Sequence, residues 1–275
     1  MKRLRTLFLA PAGTLILVTV IAPLVIVCLY SFLSRGAYGG VERPLTVQNY
    51  TRLWDPLYGA ILWRSFWVAA VSTVICLVMG FPLAMFIAGS GAKKNLYLSL
   101  VVLPFWTSFL IRTYAWMFLL RDTGLINTAL MALGVIHEPL PMLYNNGAVI
   151  LGLVYGFLPF MVLPLYAILE RLDRSLIEAA ADLGARPRDT LFRVILPLCA
   201  PGIRAGAILV FVPCLGTYLT SDLLGGSKTI LIGNLVQNQF TAARDWPFGA
   251  AASLALMLAA TAMLFAARRS GAELL

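Results

Sequence analysis

Six separate runs of mostly apolar residues, at roughly 7–33, 65–89, 96–120, 147–169, 203–222 and 247–267, dominate the sequence. About 20 such residues wound as a helix cross the hydrocarbon core of a bilayer. In lipid a helix also satisfies its own backbone donors and acceptors, which an irregular segment cannot do. The composition agrees. Of 275 residues, 60% are hydrophobic and 12% charged, against about 45–50% and 25% in soluble domains. Too few polar residues remain to clothe a water-soluble globule. The predicted fold is an all-α membrane protein, one transmembrane domain of six helices over 1–275.

The first run is free of charge and follows Met1-Lys2-Arg3-Leu4-Arg5. That opening is like the n-region of a signal peptide. The run of 27 residues far exceeds the usual apolar core of about 7–15 residues, so it reads as a retained span. Basic residues concentrate on the cytoplasmic side of membrane proteins. With the N-terminus placed inside, the inner side holds 13 Lys and Arg, six of them from Arg171 to Arg204 at the start of span five, and the outer segments hold 7. Both termini are predicted cytoplasmic. The net charge of +9 follows this bias and carries no nucleic-acid signature. Prolines in the spans, among them Pro82, Pro104, Pro159, Pro164 and Pro213, suit bent helices. Gly80, Gly152, Gly156, Gly206 and Gly216 suit close helix approach.

The most charged stretch lies in the cytoplasmic loop, 170–202. Ser175-x-x-Glu178 reads as a capping box. Ala179, Ala180 and Ala181 are strong, thin helix formers. Gly184 suits a left-handed helix stop and Pro187 the first turn of a second helix, which Pro197 limits. Leu191, Phe192, Ile195 and Leu196 give this second helix an apolar side. A helical hairpin with a small-residue face and an apolar ridge points to docking; a solvated hairpin is the plainer reading.

Residues for covalent or metal chemistry are scarce. Cys28, Cys76, Cys199 and Cys214 form no C-x-x-C pair and have apolar neighbours, and His137 is the single histidine. No metal site and no catalytic residue is assigned, which argues against a membrane-embedded enzyme. Gly225-Gly226-Ser227-Lys228-Thr229 only approaches a phosphate-binding loop, because Ser227 stands where glycine must precede the lysine. No cofactor is expected in this chain.

Glu178-Ala179-Ala180, Gly184 and Val194-Ile195-Leu196-Pro197, at their spacing in an inner loop, resemble the signature loop of ABC-importer permeases. Position 194 is Val where Ile is usual. The resemblance implies a type I permease bundle in a bacterial inner membrane. It implies coupling residues Glu178, Ala179, Ala180, Gly184, Leu196 and Pro197, seated on a separate ATPase subunit that binds ATP and magnesium. It further implies a second, homologous permease subunit, a periplasmic solute-binding protein and alternating access. A stand-alone channel or secondary transporter would leave this loop without a role.

Leu103-Pro104-Phe105-Trp106-Thr107-Ser108-Phe109, Asp55-Pro56-Leu57-Tyr58, Ser221-Asp222-Leu223-Leu224-Gly225-Gly226 and Arg244-Asp245-Trp246-Pro247 are similar to the spermidine/putrescine permeases, first-subunit type. The resemblance implies polyamine import; related members handle opines, amino-acid derivatives or iron complexes. A polyamine needs carboxylates and aromatic faces. Asp222 and Tyr218, four residues apart near the outer end of span five, are candidates for the path, and an interfacial carboxylate is the plainer reading of Asp222. Trp106, Tyr114 and Trp246 are further candidates, with interfacial anchoring as the alternative. Arg112, inside span three, opposes a cation; the expectation is a structural ion pair with Asp122 or Asp222.

Overall fold

The computed structural model describes residue 11 and residues 13–269. The predicted start of the first span at 7–10 and the basic residues Lys2, Arg3 and Arg5 lie outside the described residues, as do the side chains of Arg174, Arg268 and Arg269.

Among the described residues, four helices are long and apolar enough to cross a membrane: α1 (Gly13–Ser31), α3 (Pro56–Gly89), α7 (Asn146–Leu169) and α12 (Trp246–Phe265 within a helix that runs to Arg269). Two bent pairs bring the number to as many as six where each counts as one span. Gly91–Trp106 (α4) meets the arm that opens with α5 (Phe109–Leu120) and continues through α6 (Leu125–Ala132) at 88°. Pro187–Leu198 (α9) meets α10 (Ala200–Gly216) at 68°. Three short elements lie between spans: α2 (Gln48–Arg52), α8 (Arg174–Asp182) and α11 (Ile232–Phe240). Strands β1 (Leu33–Arg35) and β2 (Val41–Leu45) pair antiparallel, Ser34 opposite Glu42 and Arg35 opposite Val41.

Hydropathy is blind to bends, and spans three and five depart from the expected continuous helices for that reason. After Pro104 the backbone at Thr107 and Ser108 is extended, with ψ of 149° and 134°. Thr107 closes α4 on itself, its N–H and its hydroxyl both donating to Pro104 O at 3.3 and 2.7 Å. This local bond competes with helix continuation. In span five α10 ends at Gly216, and extended Thr217 leads to a separate turn at Ser221–Gly225. Span two instead begins earlier than expected, at Pro56, where Asp55 Oδ1 accepts from Leu57 N at 2.9 Å.

The described residues fall into two compact units. One holds residues up to Ala60 together with Leu235–Thr261. Its polar core is Asn49, whose Nδ2 donates to Ser31 O at 2.9 Å and Leu33 O at 2.8 Å, joining α2 to the end of α1 and β1. Arg52 Nη1 meets Asp245 Oδ2 at 2.8 Å, and its guanidinium lies 4.1 Å above the Phe248 ring. Asp245 Oδ1 also accepts from Phe248 N at 3.2 Å, as a helix cap does at the start of α12. Asp245 is 3% exposed and Arg52 45%. Arg52→Met strands a buried carboxylate with one backbone donor. The expected loss is about 1–3 kcal/mol, between that of an exposed pair and a fully buried one. Thermal unfolding of the purified chain reads it, with Arg52→Lys falling between; an unchanged midpoint contradicts this account.

The other unit holds Ile61–Asn234 and continues from Ala262. Its centre is α7, whose Val149, Leu153, Met161, Val162 and Leu165 are fully buried. Three helices approach α7 closely through absent side chains. A Cβ on Gly80 of α3 would lie 3.1 Å from Met161 Cγ, and one on Gly206 of α10 would lie 2.7 Å from Met161 Sδ. A Cβ on Gly156 of α7 itself would lie 3.0 Å from Phe109 on α5. In lipid, where burial from water gives no drive between helices, such contact is the main source of packing energy.

Candidate functional site: the α8–α9 hairpin and the 217–234 segment

The hairpin α8–α9 forms as expected, with one correction at its start. Asp173, not Ser175, caps α8: Asp173 Oδ1 accepts from Ser175 N at 2.9 Å, and Ser175 sits inside the first turn. Both residue types cap helices, and the earlier of the two in the chain holds the position here. The stop is the one expected. Gly184 has φ +79°, Gly184 N donates to Ala181 O at 2.9 Å, and Ala185 N donates to Ala180 O at 3.0 Å. This pair of bonds is the Schellman pattern. Pro187 opens the next helix, which passes through a π turn at Leu191–Ile195.

The hairpin turns Ile177 and Ile195 toward Leu172 and the end of α3, where they line a crevice with Met85 and Ala88. The opposite side is bare. Leu176, Ala179 and Leu183 are exposed at helical spacing, Leu183 by 89%, and Phe192 on the second helix is 65% exposed. Glu178 and Pro197 are exposed as well, while Ala180 and Leu196 are half-buried. These residues form an exposed apolar ridge in an otherwise charged loop. Sequence reading missed Leu176 and Leu183, although their seven-residue spacing was the available signal.

Two carboxylates hold the base of the hairpin. Glu170 Oε1 accepts from Lys94 Nζ at 2.6 Å. That bond, with the Tyr166 hydroxyl beside it, holds the Glu170 carboxyl below its usual range. The Ser175 backbone N–H does the same for Asp173. A depressed carboxylate stabilises the fold above its unfolded pKa and loses that contribution as pH falls through the folded value. Hairpin amides are therefore expected to lose hydrogen-exchange protection below about pH 4, and Asp173→Asn should remove part of this dependence. Protection that is flat from neutral pH to about pH 3 would contradict it.

At the other end of the unit, the 217–234 segment is pinned by side chains. Asn234 accepts from the Ser221 hydroxyl and from Leu231 N, and donates to Tyr218 O at 3.1 Å. Ser65 Oγ accepts from Ile232 N at 2.8 Å. Tyr218 and Asp222 lie one turn apart: Asp222 N donates to Tyr218 O at 2.8 Å, and both residues are exposed. The Ser221–Gly225 turn packs against α5, the helix that carries Tyr114. Trp106 stands at the bend of span three, 85% exposed. Trp246 belongs to the other unit, where its Nε1 donates to Phe240 O at 3.1 Å and its ring stacks on Tyr30. The 226–228 stretch is a single 3₁₀ turn, and Lys228 O accepts from Arg64 Nη1 at 3.2 Å.

Arg112 departs from expectation. Among the described residues it meets neither Asp122 nor Asp222, and no carboxylate lies within 4.0 Å of it. Its guanidinium instead faces the rings of Phe105, Phe109 and Tyr155 at 4.6, 5.6 and 5.9 Å.

Residues 57–270 match the family described as the binding-protein-dependent transport system inner membrane component. The spermidine/putrescine transport system permease protein PotB of Haemophilus influenzae is 44% identical over 247 residues, covering 90% of this chain and 86% of its own. That of Escherichia coli is 48% identical over 235 residues, covering 85% and 86%. Among solved structures, a chain of a bacterial alginate ABC transporter superposes with a TM-score of 0.78 at 17% identity, covering 96% of this chain and 92% of that one. A chain of the MetNI methionine ABC transporter superposes with a TM-score of 0.57 at 19% identity, covering 78% and 96%. At such low identity these two likenesses speak for the fold alone, and the fold is that of ABC-importer permeases. A bundle of α-helical spans, a capped hairpin with a bare apolar ridge and a family match over residues 57–270 converge: the chain belongs to the inner-membrane components of binding-protein-dependent transport systems.

Proposed function

We propose that this multi-pass inner-membrane chain is one permease half of an importer that takes up polyamines, putrescine and spermidine, by alternating access. The observation that carries the reading is identity of 44% and 48% to two spermidine/putrescine permeases over 90% and 85% of the chain. The chain pairs with a second permease, receives solute from a periplasmic binding protein, and takes its driving force from ATPase subunits. Glu178, Ala179, Ala180, Gly184, Leu196 and Pro197, with Leu176, Leu183 and Phe192 beside them, seat in the ATPase. Closure of the ATPase pair moves α8 and α9, and the 68° junction passes that movement to α10. Asp222 and Tyr218 receive an ammonium group at the outer end, with Trp106 and Tyr114 as aromatic contacts; Trp246, in the other unit, is a separate candidate for the path. The chemistry suits the solute, because an exposed carboxylate beside a phenol ring satisfies a cation without binding it too tightly to release.

Uptake of labelled putrescine and spermidine in a deletion strain, with and without the restored gene, tests the reading. Uptake that depends on the gene and on ATP is expected, and Asp222→Asn should raise the half-saturating solute concentration. Equal uptake in both strains would overturn the polyamine assignment.

A further inference from the structure

Arg112 poses a problem that the transport reading does not solve. It lies on α5, one turn after the bend in span three, and its N–H donates to Ser108 O at 3.1 Å. Nε and Nη1 are both buried without a hydrogen-bond partner among the described residues. A charge at membrane depth normally pairs with an acid or with backbone carbonyls. This one is held by ring faces, whose negative quadrupoles attract a cation.

The rings come from three different elements. Phe105 stands before the bend, Phe109 after it, and Tyr155 on α7. Each is fixed from behind. Phe160 meets Phe105 edge-on at 5.2 Å, Trp116 meets Tyr155 edge-on at 5.6 Å, and Phe157 backs Phe109 at 6.3 Å. Phe109 reaches its place because position 156 is glycine: a Cβ there would lie 3.0 Å from the ring. The three rings around the guanidinium are thus each backed by a further aromatic ring, and their faces attract a compact organic cation of any kind. Arg112 reaches them by a flexible stem, and ring faces hold its head without directional bonds.

We propose that Phe105, Phe109 and Tyr155 form a binding site for an alkylammonium group, and that Arg112 is its resting occupant, displaced when such a cation enters. The site deepens the reading above, resting on it only for the identity of the natural ligand. It also turns the apparent obstacle, a positive charge in the path of a cation, into a placeholder. An empty cage would leave three ring faces across an 88° bend with nothing between them; the guanidinium fills it until solute arrives.

The test uses the assembled importer in lipid nanodiscs without ATP, so that no turnover occurs. Phenylglyoxal modifies accessible arginines, and mass spectrometry of the Arg112 and Arg64 peptides reads their extents. Arg112 is expected to be protected. Putrescine or tetramethylammonium should raise its modification by about fivefold, as cation–π contacts of this size imply, with Arg64 unchanged and sodium chloride of equal ionic strength without effect. Phe105→Leu should release Arg112 with no added cation. Full modification of Arg112 at the outset, or modification unmoved by either cation, overturns the proposal. If tetramethylammonium releases Arg112 but putrescine is not imported, the cage stands and the polyamine reading falls. If putrescine is imported while neither cation moves Arg112, the reverse holds.

Discussion

Leu183→Glu is expected to lower ATP-driven uptake by about a hundredfold while leaving the chain folded and inserted. Leu183 is 89% exposed and follows the last turn of α8, so the change buries nothing and unpacks nothing within the chain. Exposed substitutions of this kind shift stability by about 0.5 kcal/mol or less. At the centre of a docking surface the same change places a charge where an apolar side chain meets its pocket. Loss of such an anchor is worth about 2–4 kcal/mol. Ala180→Glu, on a half-buried and thinner part of the same helix, should act in the same direction. Three readings separate coupling from collapse: uptake in proteoliposomes, recovery of the ATPase with the tagged chain, and the unfolding midpoint. Uptake and recovery should fall together with the midpoint unchanged. Full uptake by Leu183→Glu would mean that the ridge docks nothing.

Gly206→Val is expected to act through the opposite route, on the bundle itself. A Cβ at Gly206 would lie 2.7 Å from Met161 Sδ and 3.3 Å from both Cα and O of Met161. The sulfur can swing away, but the backbone of α7 cannot, so α10 must move off it. Overpacking at a fully buried contact costs about 1–3 kcal/mol, which for a chain of this size is roughly 3–10 °C in the unfolding midpoint. Gly216→Val is the control, since a Cβ there meets nothing within 4 Å. Met161→Ala combined with Gly206→Val should recover only the smaller part of the loss, the cost of displacing the sulfur, and leave the part set by the α7 backbone. Additive losses in the pair would contradict this packing.

Legibility in the sequence varies by residue, for physical reasons. Apolar length announces a span without ambiguity, so the six spans are readable. A bend leaves no trace in hydropathy, so the 88° break at Thr107–Ser108 is not, although Pro104 and two hydroxyl residues in a row give its ingredients. Gly184 is readable because a left-handed stop after an alanine run admits few residue types. The cap is ambiguous by two residues because Asp173 and Ser175 are both good caps, and only the three-dimensional turn distinguishes them. Sequence reasoning gives Arg112 an acid because a buried cation ordinarily needs one. Its aromatic neighbours are in plain view in the sequence, but Tyr155 lies 43 positions away, and only folding brings it near.

The central claim is that force from ATP hydrolysis enters through the hairpin around α8. Leu183→Cys, cross-linked in inverted membrane vesicles of the whole importer, tests it most directly. The account predicts that a photoreactive maleimide attached to the new thiol joins it, on illumination, to the ATPase subunit, with a yield that changes on adding ATP, and that an impermeant thiol reagent applied to intact cells does not label position 183. Labelling from outside, or an adduct-free chain in inverted vesicles that still pump preloaded solute out of the lumen on adding ATP, would contradict it.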